Sequence, residues 1–223
     1  MDAQTLSREW ARAAAGDGGR RDWEHMELDA VRALLARLDP GLPGAPLDPD
    51  YTLARTRPLP FYPGHALCEL VNPTVMTDGN PRHAVSGDRA ARLLDGTNAV
   101  VYDLNRTVPI ALNGGNVRDY VRFFFAAVRG RHGHFHVVER LDDINFAGDP
   151  DPARQRQVAA HLHPLILAEA DGDGGYRLRA TILFKDGLFA ATVAVAADGM
   201  VSMADEEMLL ETVGSDPDNP VDV

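Results

Sequence analysis

Apolar residues recur along this chain in two periods, helical in the first two thirds and strand-like in the last. Near the start, Leu6, Trp10, Ala13 and Ala14 stand at helical spacing until Gly16-Asp17-Gly18-Gly19 interrupts the run. Asp22 is a good N-cap, and Trp23, Met26, Ala30, Val31, Leu34 and Leu38 fall on one stripe that Asp39-Pro40-Gly41 ends. Residues 1–40 therefore read as a helical hairpin docked on the main body. The prolines and glycines of 40–50 suit neither a helix nor a central strand. From 51 to 109 the pattern is irregular, with strand candidates at 65–71 and 98–104.

Asn116 opens a helix to about Arg129 whose Val117, Tyr120, Val121, Phe124, Phe125 and Val128 make a broad apolar face. A strand is expected at 134–140 and a short helix at 151–161, stopped before Pro164. The period then drops to two. Tyr176, Leu178, Ala180, Ile182 and Phe184 alternate with Arg177, Arg179, Thr181 and Lys185, as in a strand with one buried face. Lys185-Asp186-Gly187 and Ala197-Asp198-Gly199 turn the chain into further strands at 188–196 and 200–204, and 165–170 leads in. The pattern predicts an α+β fold with N-terminal helices and a central apolar helix packed on a C-terminal antiparallel β-meander. Residues 51–213 would form its main domain, and 214–223 a disordered acidic tail.

Composition changes this picture in three places. The 223 residues carry a net charge of −11, yet from Asp198 onward there are eight acidic residues and no basic one, which leaves 25 acidic against 22 basic elsewhere. An acidic end and the lack of any Lys/Arg run argue against nucleic-acid binding. No run approaches the ~18 apolar residues that span a bilayer, and the N-terminus lacks a signal-peptide core. With Cys68 as the sole cysteine, a cytoplasmic bacterial protein is expected. Lys185 is the sole lysine and lies in a turn. P-loop and Schiff-base chemistry, which both depend on a placed lysine, lose their support.

The residues that could carry chemistry are histidines. Five of the eight fall within 132–163, as His132, His134 and His136 and as His161 and His163. Alternate positions on a strand share a face, and neutral imidazoles in a row can hold zinc or iron. The spacing of His132 and His134 with Glu139 beyond them is similar to the metal motif of the cupin family. The family's flanking glycines and second motif are missing, and strand alternation puts Glu139 on the opposite face. A solvent-facing histidine cluster fits the same pattern. Cys68 near His65 suggests a thiol and its base, but also a small buried core residue. Asp171-Gly-Asp173-Gly-Gly lacks the further acidic positions of a calcium loop and reads as a turn.

No acid–base pair, Gly-x-Ser-x-Gly elbow or dinucleotide fingerprint stands out. The expectation is a non-catalytic binding domain without a cofactor, taking a protein partner or a small apolar ligand and leaving room for a homodimer. The alternative is a metal-dependent hydrolase or oxygenase that uses the 132–163 histidines with a divalent metal.

Overall fold

The computed structural model describes residues 23–38, 47–74, 81–130, 133–149 and 151–215. The helix expected over 5–15, most of the 40–50 stretch, His132 and the chain beyond Ser215 lie outside them. The chain divides into two compact units, Met1–Asp95 and Gly96–Val223.

The first unit is built on β1 (Glu24–His25), α1 (Leu28–Leu35), β2 (Leu53–Pro58), β3 (Ala66–Val71), β4 (Arg82–Ser86) and β5 (Ala91–Leu93). The strands form one antiparallel sheet in sequence order. Val31 and Leu34 of α1 are buried with Ala54, Cys68, Leu70, Ala84 and Leu93. The pairing places Cys68 opposite Ala84 and Ala84 opposite Leu93, so these residues share one face of the sheet. Small residues at Ala54, Cys68 and Ala84 leave room for the helix to lie close. The neighbouring row is polar: His25 pairs with Arg55, Arg55 with Glu69, and Glu69 with His83. Arg55 and Glu69 are nevertheless 3% and 2% exposed, and they form an ion pair with Nε 2.7 Å from Oε1 and Nη2 donating to Oε2 at 2.9 Å. Trp23, expected inside a helix, instead precedes β1 and lies 4.9 Å from the guanidinium carbons of both Arg55 and Arg57.

The second unit holds α2 (Asn98–Thr107), α3 (Val117–Ala127), β6 (Arg129–Gly130), β7 (Gly133–Val137), α4 (Pro152–Ala159), β8 (Ile166–Ala170), β9 (Tyr176–Phe184), β10 (Gly187–Val195) and β11 (Val201–Leu210). Its sheet runs β11-β10-β9-β7-β6, and β8 also pairs with β9. Because β10 takes one side of β9, β7 and β8 share the other. β7 lies opposite 182–184 and β8 opposite 176–179. Residues 138–165 thus leave the row beside β9 and rejoin it a few positions along. Within that excursion, Asp151 caps α4 by accepting from the Ala153 amide at 2.7 Å, with Pro152 at the first helical position. Val138, Ile144 and Val158 pack with Leu183, Leu188 and Val213 in a small core.

The helical end of the unit is organised by α3. Tyr120, fully buried, donates from its hydroxyl to the Gly199 carbonyl at 2.6 Å and accepts from Asn105 at 2.9 Å, joining α2, α3 and the β10–β11 turn. Tyr102 stacks on Phe124 with centroids 5.8 Å apart. Gly199 has φ 79°, and a Cβ there would run into Asn105, Ile110 and Tyr120, so the turn requires glycine. At the far end, one carboxylate oxygen of Asp186 accepts from the backbone amides of Val213, Gly214 and Ser215 and from the Ser215 hydroxyl.

The expected arrangement needs correction. The α+β class with antiparallel sheets holds, but a central helix packed on a C-terminal meander does not. Two large antiparallel sheets dominate, with small helices beside them. The strand expected at 65–71 is β3, whereas β2, β4 and β5 beside it were not expected; β3 buries four consecutive residues, Leu67-Cys68-Glu69-Leu70, without alternation. The span 98–104, expected as a strand, lies in α2, where Val100, Val101 and Leu104 form its buried side.

Candidate functional site

The two described histidine pairs have different surroundings. His134 and His136, two residues apart on β7, put their rings on the same side of the strand with centroids 4.2 Å apart at 57°. Both are part-buried, not fully solvent-facing. His134 Nε2 lies 2.9 Å from the Phe125 carbonyl at the end of α3. A carbonyl only accepts, so the ring proton sits on Nε2 and Nδ1 carries the lone pair. Nδ1 is buried and has no hydrogen-bond partner among the described residues. Burial, and then the nearby positive charge of Arg129, hold the His134 pKa below the ordinary range. His136 is pushed down to about 4 by burial, then by His134 and Arg129. Both rings are therefore neutral at neutral pH.

His161 and His163 follow α4 and line a groove of about 390 Å³ on the second unit. Arg179, Thr181, Ala190 and Thr192 of β9 and β10 line it as well, with Asp205 and Leu209 of β11 and Pro164 and Ile166 before and on β8. The pairing register explains the gathering. Thr181 lies opposite Ala190 and Arg179 opposite Thr192, so all four side chains project from one face of the sheet. Asp205 joins them because β11 is irregular there: its φ is 52°, and the β10–β11 register shifts between Ala190 and Thr192. Among the described residues, no side-chain hydrogen bond or ion pair engages Arg179, Asp205 or the rings of His161 and His163. These four polar groups border small and apolar side chains.

The other sequence candidates resolve locally. Cys68 is buried, with its thiol pKa pushed up by burial, and its sulfur lies 3.7 Å from the Thr56 hydroxyl. His65 Nδ1 instead lies 3.0 Å from the Pro63 carbonyl. The Asp171 carboxylate accepts from the Asp173 and Gly175 amides, as a turn does. Glu139 is committed elsewhere. It pairs with Arg122 at 2.7 Å and accepts from the Leu165 amide at 2.7 Å, which fixes the start of β8. Burial opposes its ionised form, but these donors outweigh burial and lower its pKa.

Among the described residues, no group of three or more His, Cys, Asp or Glu is gathered as a metal cluster, and His132 lies outside them. Among the described residues, no helix is long and apolar enough to cross a membrane. Arg179, Thr192 and Asp205 were not singled out in the sequence. Arg179 reads there as the polar side of an alternating strand, and Asp205 as one charge in an acidic run. Only the register and the β11 irregularity bring them together. No protein-family model, curated protein or solved structure matches the chain.

Proposed function

We propose that the Gly96–Val223 unit is a non-catalytic binding module for a small amphipathic anion, held in the groove over β9 and β10. The observation that carries this reading is the set of polar groups, without side-chain partners among the described residues, around an apolar floor. A guanidinium and two imidazoles face the groove with Asp205 as the single carboxylate. The volume of about 390 Å³ suits a metabolite-sized ligand. Arg179 presents a planar fork that matches a carboxylate or phosphate bidentately. Ile166, Leu209 and Pro164 supply apolar contact for the remainder of the ligand, and Asp205 favours a hydroxyl or ammonium at the other side of the groove.

The test is ligand-observed NMR on the full chain with a panel of small carboxylates, phosphates and their neutral analogues. Binders are expected among the anions, with affinity falling about 10- to 100-fold in Arg179→Gln, the loss of a charge-assisted pair. Ala190→Phe, which fills the floor, should abolish binding while the circular dichroism stays that of the parent. Anion binding that survives both substitutions would place the site elsewhere, and a panel without binders would remove the reading.

A further inference from the structure

The groove over β9 and β10 has two walls of opposite charge, and the strand order sets them apart. On one side β8 enters beside β9, with Ile166 opposite Arg179 and His163 leading in. On the other side β11 flanks β10 and presents Asp205. Between them lies β10, whose contributions to the groove, Ala190, Ala191 and Thr192, are small. Among the described residues, Arg179 and Asp205 are the only Arg, Lys, Asp or Glu side chains that line the groove, and they do not pair with each other.

The register accounts for that separation. Arg179 lies opposite Thr192, and Thr192 opposite Ala204, the residue before Asp205. Two strand spacings, about 10 Å between backbones, therefore part the two charged residues. Asp205 reaches the groove through an unusual backbone. Its φ of 52° lies in the left-handed region, where residues other than glycine are uncommon. There β11 sets Asp205 and Glu206 against the single Ala191 of β10. Bulges of this kind re-aim a side chain beside a site, and such backbone strain gathers at ligand clamps.

Hydrogen bonds of about 2.8 Å at each end of the span leave about 4–5 Å between the ligand's own charged groups. The single carbon of an α-amino acid is too short for that. One fixed positive and one fixed negative charge also favour a ligand that is neutral overall, which a phosphate dianion is not. We infer that the groove takes a linear ω-ammonio carboxylate, its carboxylate on Arg179, its methylenes over β10 and its ammonium on Asp205. This ligand class rests on the anion-binding role proposed for the same groove.

The test is calorimetric titration of the full chain with δ-aminopentanoate, its α-isomer and pentanoate. δ-Aminopentanoate should bind at least about tenfold more tightly than either of the others. Asp205→Asn removes the charge with a side chain that also accepts a left-handed backbone. In that variant the advantage over pentanoate should disappear, while pentanoate binds at least as well as before. Should the variant fold poorly, the parent's own ranking of the three ligands decides. Equal binding of pentanoate and δ-aminopentanoate by the parent overturns the inference and leaves the anion groove standing. An α-isomer that binds as tightly as the ω-isomer overturns the separation of charges, and a preference that persists in Asp205→Asn overturns the role of Asp205. If none of the three binds, and no other anion does, the groove reading falls and this inference with it.

Discussion

Replacing Arg55 with methionine should destabilise the first unit far more than replacing Arg55 and Glu69 together. The two side chains are 4% and 3% exposed and meet side-on, with Nε 2.7 Å from Oε1 and Nη2 2.9 Å from Oε2. Taking both charges out of water nearly cancels their attraction, so a well-packed apolar pair costs little. Arg55→Met alone leaves the Glu69 carboxylate buried, with His83 3.5 Å from Oε2. It also removes one of the two guanidinium groups at Trp23, leaving Arg57. The expected loss is about 3–5 kcal/mol for Arg55→Met, and within about 1 kcal/mol of the parent for Arg55→Met/Glu69→Leu. Urea unfolding followed by tryptophan fluorescence reads this unit, because both tryptophans, Trp10 and Trp23, precede Asp95. A pH series adds a sign. Burial alone would raise the Glu69 pKa, but His83 and Arg55 together lower it. Its contribution is therefore present above the unfolded carboxylate value of about 4.3 and is lost as pH falls through the lower folded one. That acid sensitivity should vanish in the double variant. A single variant that costs less than about 1 kcal/mol, or a double variant that costs as much as the single, would refute the argument.

Two further outcomes concern the second unit. Tyr120→Phe removes the hydroxyl that satisfies the Gly199 carbonyl and Asn105, and should cost about 1–3 kcal/mol in urea titration; an unchanged midpoint would mean that water replaces the hydroxyl. Asp186→Ala releases the amides of Gly214 and Ser215, while the Val213 amide keeps its bond to the Asp186 backbone carbonyl at 2.8 Å. Hydrogen exchange at Gly214 and Ser215 should accelerate while the amides of Val213 and β9 keep their protection, and unchanged exchange would show that the carboxylate is not what holds the segment.

The strands β9 and β10 were legible because local and global signals agree there. Tyr176 to Ala180 alternate between covered and exposed side chains before both faces are buried from Ala180 to Leu183, and Lys185, with φ 54°, sits in the turn that Asp186-Gly187 announces. Where polar residues are buried in pairs, the signal fails. Arg55 reads as a solvated residue until Glu69 is placed opposite it, and that partner is 14 positions away. The strand β11 was expected to stop near Ala204, yet it runs to Leu210, because the left-handed backbone at Asp205 absorbs an irregularity that no residue type announces. Of the site, the His134–His136 row was readable because it depends on strand alternation alone. The groove was not, since it needs three strands in register and the segment from His161 to Pro164 laid beside them.

The tandem seating of β7 and β8 beside one strand has a consequence for how this unit can diverge. Residues 138–165 depart from β9 and return to it a few positions along, so their length can drift without shifting the register of any other pair. The excursion needs to keep only its anchors, Val138, Ile144 and Val158 on Leu183 and Leu188 and Glu139 on the Leu165 amide. It also delivers His161, His163 and Pro164 to the groove. Sheet integrity and one wall of the groove are therefore inherited separately. Related chains with the same sheet but an excursion of different length should differ in what they accept while retaining the same fold.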